Sequence, residues 1–215
     1  MNEDLTAPKK DGLHRLLVSD HKNPELGYEG SHIQKINGYY YIFLVHSLRD
    51  RWMRTEACFY SDSLEGEFTG GDVLCDDRGY CGQGVAQGGI VDTPDGKWYA
   101  MLFQDSGAVG RIPILLPVTW KDHFPIFGQN GHVPEEIEVH STRPGYIYQP
   151  LVGSDDFCNG LLPRWQFNHD PDPRYYHLDA LQGTYTITTR EVCTELTQAV
   201  NTLTQRMSSV SYTHL

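Results

Sequence analysis

The chain has 215 residues, of which 39% are hydrophobic and 12% aromatic, so it holds enough apolar material for one core or two small ones. Its formal net charge of -11 argues against nucleic acid and anionic membrane surfaces as partners, because binding phosphate needs a basic face. No apolar run approaches the roughly 18–20 residues that cross a bilayer as a helix, and the Gly, Pro and Tyr content favours an all-β fold rich in turns.

Residues 1–26 are polar apart from the patch Leu16-Leu17-Val18 and read as a connection into the first hairpin; the first twenty contain no apolar signal core. Asn37-Gly38 then separates two apolar, aromatic runs, the strongest short signal for a two-residue type I′ hairpin, whose central residues both need φ > 0. Tyr39 to Val45 is apolar at every position, which predicts a strand covered on both faces. Just before this hairpin, Glu29 stands between Tyr28 and Gly30, where a small neighbour leaves room for approach; an isolated glutamate in a loop is ordinarily only a solvated acid. Arg54 to Ser61 is a third strand, closed by the turn Asp62 to Gly66.

The pattern repeats. Gly89 to Thr93 is a strand, Pro94-Asp95-Gly96 a turn, Lys97 to Phe103 a second strand apolar on both sides, and Arg111 to Val118 a third whose prolines predict an outer position. A repeat of roughly 50 residues holding one small antiparallel sheet suggests a propeller blade. Propellers have about 4–8 blades. Two cannot close a ring, so a fragment of a longer domain is expected. Residues 121–153 are punctuated by Pro and Gly and read as the exit from the blades and a linker. From about 154, strand-like runs at Leu162 to Asn168, Arg174 to Asp179 and Thr184 to Thr189 suggest the opening of a β-sandwich. Leu196, Ala199, Val200, Leu203 and Met207 recur with a helical period. The five cysteines (Cys58, Cys75, Cys81, Cys158, Cys193) hold no C-x-x-C pair and read as a mixture of buried thiols, not as a disulfide framework or zinc site. The Gly-rich run 82–89 lacks the G-x-G-x-x-G spacing and precedes a strand, which rejects a phosphate loop.

Three segments, Tyr28 to Tyr41, Gln87 to Tyr99 and Gly110 to Trp120, resemble glycoside hydrolase family 43, the β-xylosidases and α-L-arabinofuranosidases, and Asn201 to Arg206 resembles the C-terminal β-sandwich of many members. The resemblance runs over roughly residues 13–207. It implies a partial five-bladed β-propeller followed by the start of a β-sandwich, divided as 1–150, 151–207 and an unrelated or disordered tail 208–215, with the last turn read as strand in place of the helical period. It implies an inverting glycosidase acting on xylosidic or arabinofuranosidic bonds of plant cell-wall oligosaccharides, with a glutamate as general acid, an aspartate as general base and a second aspartate tuning the acid. Glu29 matches the acid. Neither aspartate has a matching segment, so the fragment is expected to be inactive alone. Asp92 reads as a turn cap, and Asp105 follows an aromatic strand and could reach a cleft.

Inversion needs two carboxyl groups about 6.5–9.5 Å apart, and the acid's pKa must be raised by partial burial or a nearby negative charge. By the resemblance, Arg111 contacts substrate through paired planar donors, against the plain reading of a surface ion pair. Gln87 stands where many relatives carry a histidine near a central metal ion, frequently calcium. An amide is the poorer ligand, so no cofactor is expected. His32 is a further substrate-binding candidate, and a lone histidine is otherwise a hydrogen-bonded structural residue. Trp52 could stack on a sugar ring, whereas Trp98 and Phe103 read as core. The expected partner is an oligosaccharide, and the resemblance implies a secreted or periplasmic full-length relative. The competing readings are a non-catalytic carbohydrate-binding, lectin-like propeller and a scaffold for protein contacts.

Overall fold

A computed structural model describes residues 1–206; Met207 and the expected tail 208–215 lie outside the described residues. The chain divides into two units, Met1–His140 and Ser141–Leu215.

The first unit holds two four-stranded antiparallel meanders. One runs β1 (Glu29–Ile36), β2 (Tyr39–Ser47), β3 (Arg54–Ser61), β4 (Thr69–Leu74); the other runs β5 (Ala86–Asp92), β6 (Trp98–Asp105), β7 (Arg111–Lys121), β8 (Phe124–Phe127). Both expected hairpins are present. Asn37 and Gly38 have φ of 49° and 90°, the left-handed pair a type I′ turn requires, and Gly96 turns β5 into β6 with φ 79°.

Each sheet has a fourth strand that the sequence reading does not contain. β4 carries Gly70-Gly71, a weak strand signal; a Cβ on Gly70 would come within 2.8 Å of the Phe59 Cα, so the close approach to β3 excludes a side chain. β8 lies inside the stretch read as an exit from the blades. It pairs with the last four residues of β7, which places β7 inside its sheet and not at the edge. The prolines fit there because β8 pairs only from Val118 onward. The Pro117 carbonyl accepts the Gly128 N–H on the side away from β6. Its missing N–H points the same way, as does that of Pro113 four residues earlier, and no bond to β6 is lost.

The core lies between the sheets: Tyr41, Phe43, Cys58, Leu74, Val85, Ile90, Leu102, Leu116 and Phe127. Alternate residues of β2, Ile42 and Leu44, face the other way and pack with Phe68, Leu17, Val18 and Tyr28. The uniform apolarity of β2 therefore reflects two faces covered by different partners, one of them the N-terminal segment. Each such side chain contributes about 1.5–3 kcal/mol. Trp98 meets Trp120 edge-on at 5.4 Å and packs against this core, as expected for it. Across the interface the Tyr41 hydroxyl donates to the His123 carbonyl at 2.7 Å, and burial pushes its phenol up to about 12.

The second unit has short pairs only: β9 (Gln166–Phe167) with β12 (Leu203–Thr204), and β10 (Tyr176–Asp179) with β11 (Thr184–Ile187). The helical period at Leu196 does not make a helix. Leu196–Gln198 is a single 3-10 turn, Ala199 is already extended, and Asn201 (φ 63°) reverses the chain into β12. Asn201 is buried and locked to the Asp172 backbone in both directions, which ends the turn. All five cysteines are free, but only Cys58 is buried; Cys81 and Cys158 are exposed.

Candidate active site

The first strands of the two sheets, β1 and β5, pack against each other and bulge at the same level. In β1 the register shifts between Glu29 and His32, and Gly30 adopts φ 59°. In β5 it shifts between Ala86 and Gly89, and Gln87 adopts φ 67°, a left-handed conformation unfavourable for a side-chain-bearing residue. The bulges meet. A Cβ on Gly30 would lie 2.7 Å from Cδ and 2.8 Å from Cγ of Gln87, so the glycine makes the space that Gln87 fills.

Beneath this contact lies Glu56 of β3, with 0% exposure. The Gln87 backbone N–H donates to its Oε2 at 2.6 Å, and its Oε1 is buried with no hydrogen-bond partner among the described residues. Burial holds the Glu56 carboxyl well above the usual carboxylate range, against the opposing pull of the Gln87 N–H and the Arg54 charge. Arg54, two residues earlier on the same face of β3, is also buried. Its guanidinium donates to Asp105 Oδ2 at 2.9 Å, and the Arg111 Nε donates to the other oxygen of Asp105 at 3.2 Å. The Phe103 ring lies against both cations, 4.7 Å from the Arg54 and 4.5 Å from the Arg111 guanidinium carbon. Burial lowers the Arg54 pKa, and the negative field of Asp105, Glu56 and Glu29 opposes it. One end of the two sheets thus gathers three carboxyl groups, two arginines and one aromatic ring.

Loop 75–85 frames this end. The Gln104 side chain donates to the Asp77 and Gln83 carbonyls at 2.6 and 2.9 Å, and the Gly82 carbonyl accepts the Arg54 N–H at 3.0 Å. A Cβ on Gly84 would collide with the Arg54 carbonyl. The Gly-rich run thus serves close packing around Arg54. Trp52 is 41% exposed and lies beside Gly82.

Of the residues singled out from sequence, Glu29, Gln87 and Arg111 come to this end. Glu29 is exposed, where the chemistry of a general acid asks for shielding. His32 is exposed on β1, facing Gly89 across the β1–β5 contact. Asp92 closes β5 at the far end, five residues and roughly 16 Å from Gln87. Asp105 is held between two arginines. Phe103 is not the core residue the sequence suggested, because β6 ends at the site and its half-buried ring contacts both guanidiniums. Glu56 and Arg54 were not foreseen as site residues; the available signal was two charges at the head of an otherwise apolar strand. At the position of the expected metal-associated histidine, no three His, Cys, Asp or Glu side chains among the described residues converge to hold an ion.

No family model matches the chain. It is 27% identical over 166 residues to a putative beta-xylosidase of Xylanibacter ruminicola, covering 74% of the chain and 31% of that protein. It is 28% identical over 179 residues to a beta-xylosidase of Formosa agariphila, covering 74% and 30%. The chain therefore spans under a third of the length of the curated relatives it matches. Among solved structures, a bifunctional GH43-CE protein of Bacteroides eggerthii superposes with a TM-score of 0.78 at 41% identity, over 96% of the chain and 27% of that protein. An engineered GH43 glycoside hydrolase with endo-xylanase and exo-arabinofuranosidase activity superposes with a TM-score of 0.67 at 28% identity, over 85% and 36%. With two adjacent four-stranded blades and this likeness over most of its length, the chain resembles glycoside hydrolase family 43 in both sequence and fold.

Proposed function

We propose that this chain carries the general-acid side of an inverting glycosidase site that cleaves xylosidic or arabinofuranosidic bonds in plant cell-wall oligosaccharides, with Glu29 as proton donor. The observation that carries the reading is the convergence of Glu29, Gln87, Arg54 and Arg111 on one end of the two blades, against relatives described as beta-xylosidases. Arg111 is 65% exposed at its side chain while anchored by Asp105 and Phe103. It is therefore positioned and still free to donate to sugar hydroxyls. The reading assigns no cofactor. Asp105 is neutralised by two arginines and Asp92 lies at the wrong end, so neither serves as base, and the 215-residue chain alone is expected not to turn over substrate.

The test is made in the full-length protein. Glu29→Gln is expected to lower kcat about 10²–10⁴-fold on a substrate with a poor leaving group, such as xylobiose or an arabino-oligosaccharide. A dinitrophenyl glycoside, whose leaving group needs no proton, should be nearly unaffected. Unchanged kcat on the oligosaccharide removes Glu29 from the role. The exposure of Glu29 favours a second reading, a carbohydrate-binding module. Calorimetric binding of xylo-oligosaccharides by the full-length protein, with no hydrolysis at any pH, would select it.

A further inference from the structure

We propose that Glu56 is a positioning residue that acts on Glu29 through Gln87; this rests on the reading of Glu29 as proton donor. Its Oε2 accepts the Gln87 N–H at 2.6 Å and so holds the backbone of a residue that stands at φ 67° against its own preference. The held Gln87 projects its side chain into the space left by the missing Cβ of Gly30. Gly30, at φ 59°, is the turn that determines where its neighbour Glu29 points. The sequence of contacts is short: carboxyl, strained backbone, amide side chain, glycine, acid. A buried carboxyl with one oxygen unpartnered among the described residues is costly to keep in a core, where an apolar residue would pack without penalty. Backbone strain of this kind at Gln87 needs such an anchor to persist.

The experiment compares Glu56→Ala, Glu56→Gln and Glu29→Gln in the full-length protein on two substrates, an unactivated disaccharide and its dinitrophenyl glycoside counterpart. Misplacing a catalytic group by about 1 Å costs roughly 10²-fold. Glu56→Ala is therefore expected to lower kcat on the disaccharide by roughly that factor, with KM nearly unchanged. On the dinitrophenyl glycoside, the loss should stay within about threefold. Glu56→Gln keeps an acceptor oxygen for the Gln87 N–H and should restore most of the disaccharide rate. Equal losses on both substrates, or none on either, overturn the proposal, because a residue that only supports the fold does not discriminate leaving groups. If Glu56→Ala does not fold, Gln87→Gly replaces it. That variant relieves the positive φ and deletes only the side chain over Gly30, and the same selective loss is required of it. If Glu29→Gln shows no leaving-group selectivity, the proton-donor reading itself fails. If Glu29→Gln is selective and the Glu56 variants are not, only the role of Glu56 fails.

Discussion

At the scale of single residues, two buried carboxyl groups push stability in opposite directions with pH. The Glu56 carboxyl titrates well above its ordinary value in the fold, chiefly through burial. An unfolded glutamate loses its proton near about 4.3, so between that value and the raised folded one the native state binds the extra proton, and stability falls as pH rises. Glu56→Gln removes this descent; urea midpoints of the variant and parent measured from acid to neutral pH should diverge in the variant's favour as pH increases. Asp20 behaves oppositely. Burial raises its pKa, but hydrogen bonds from Asn23 and Arg49 and the charges of Arg49 and His46 outweigh it, and the net shift is downward. Its contribution is present above the unfolded value and is lost as pH falls through the folded one. Asp20 and Asp72 flank His46, with Oδ2 of Asp20 at 3.5 Å and Oδ1 of Asp72 at 2.8 Å, and this cluster clasps the N-terminal segment to β2. Asp20→Ala should cost about 2 kcal/mol at neutral pH, with a smaller difference from the parent near pH 3.

At the scale of elements, glycines with different jobs should respond differently to alanine. Gly38 has φ 90° and no atom within 4 Å of its missing Cβ, so Gly38→Ala is a purely conformational change of about 1 kcal/mol. Gly84 has an ordinary backbone, but a Cβ there collides with the Arg54 carbonyl at the start of β3. Gly84→Ala should cost about 3 kcal/mol and should also disturb the Arg54–Asp105 pair; chemical denaturation of the two variants gives the comparison. The first of these glycines was legible in the sequence because the turn chemistry is local. The second was not, because its constraint comes from a strand some thirty residues away. The same division explains the strands. β2 and β6 announce themselves by aromatic runs, and β1 and β5 by the tight turns that join them to those strands. β4, with its paired glycines, and β8, among prolines, form only because a neighbouring strand offers an edge to pair with. The helical spacing after Leu196 makes no helix for a related reason: Asn201 is locked to Asp172 and overrides the period.

At the scale of the whole molecule, the two units differ in how they are held. The first has a core of fully buried apolar side chains, whereas no apolar side chain of the described part of the second falls in that class. Residues 141–150 are all exposed and contain no strand. Limited chymotrypsin digestion should therefore cut first after Tyr146 or Tyr148, 46% and 77% exposed. The product ending there should keep a cooperative melting transition; early cuts within β2 or β6 instead would contradict the assignment of the core. The sequence by itself determined the all-β class, both hairpins and the blade repeat, and through a motif it singled out Glu29, Gln87 and Arg111, which the fold brings to one end of the sheets, because turn chemistry and continuous apolar runs are written over a few adjacent residues. Only the tertiary structure decided that Arg54, Glu56, Phe103 and Asp105 join them. These residues lie up to some fifty positions apart, on strands of two different sheets. Which strand ends meet is set by the packing of one sheet on the other, and no local pattern encodes that.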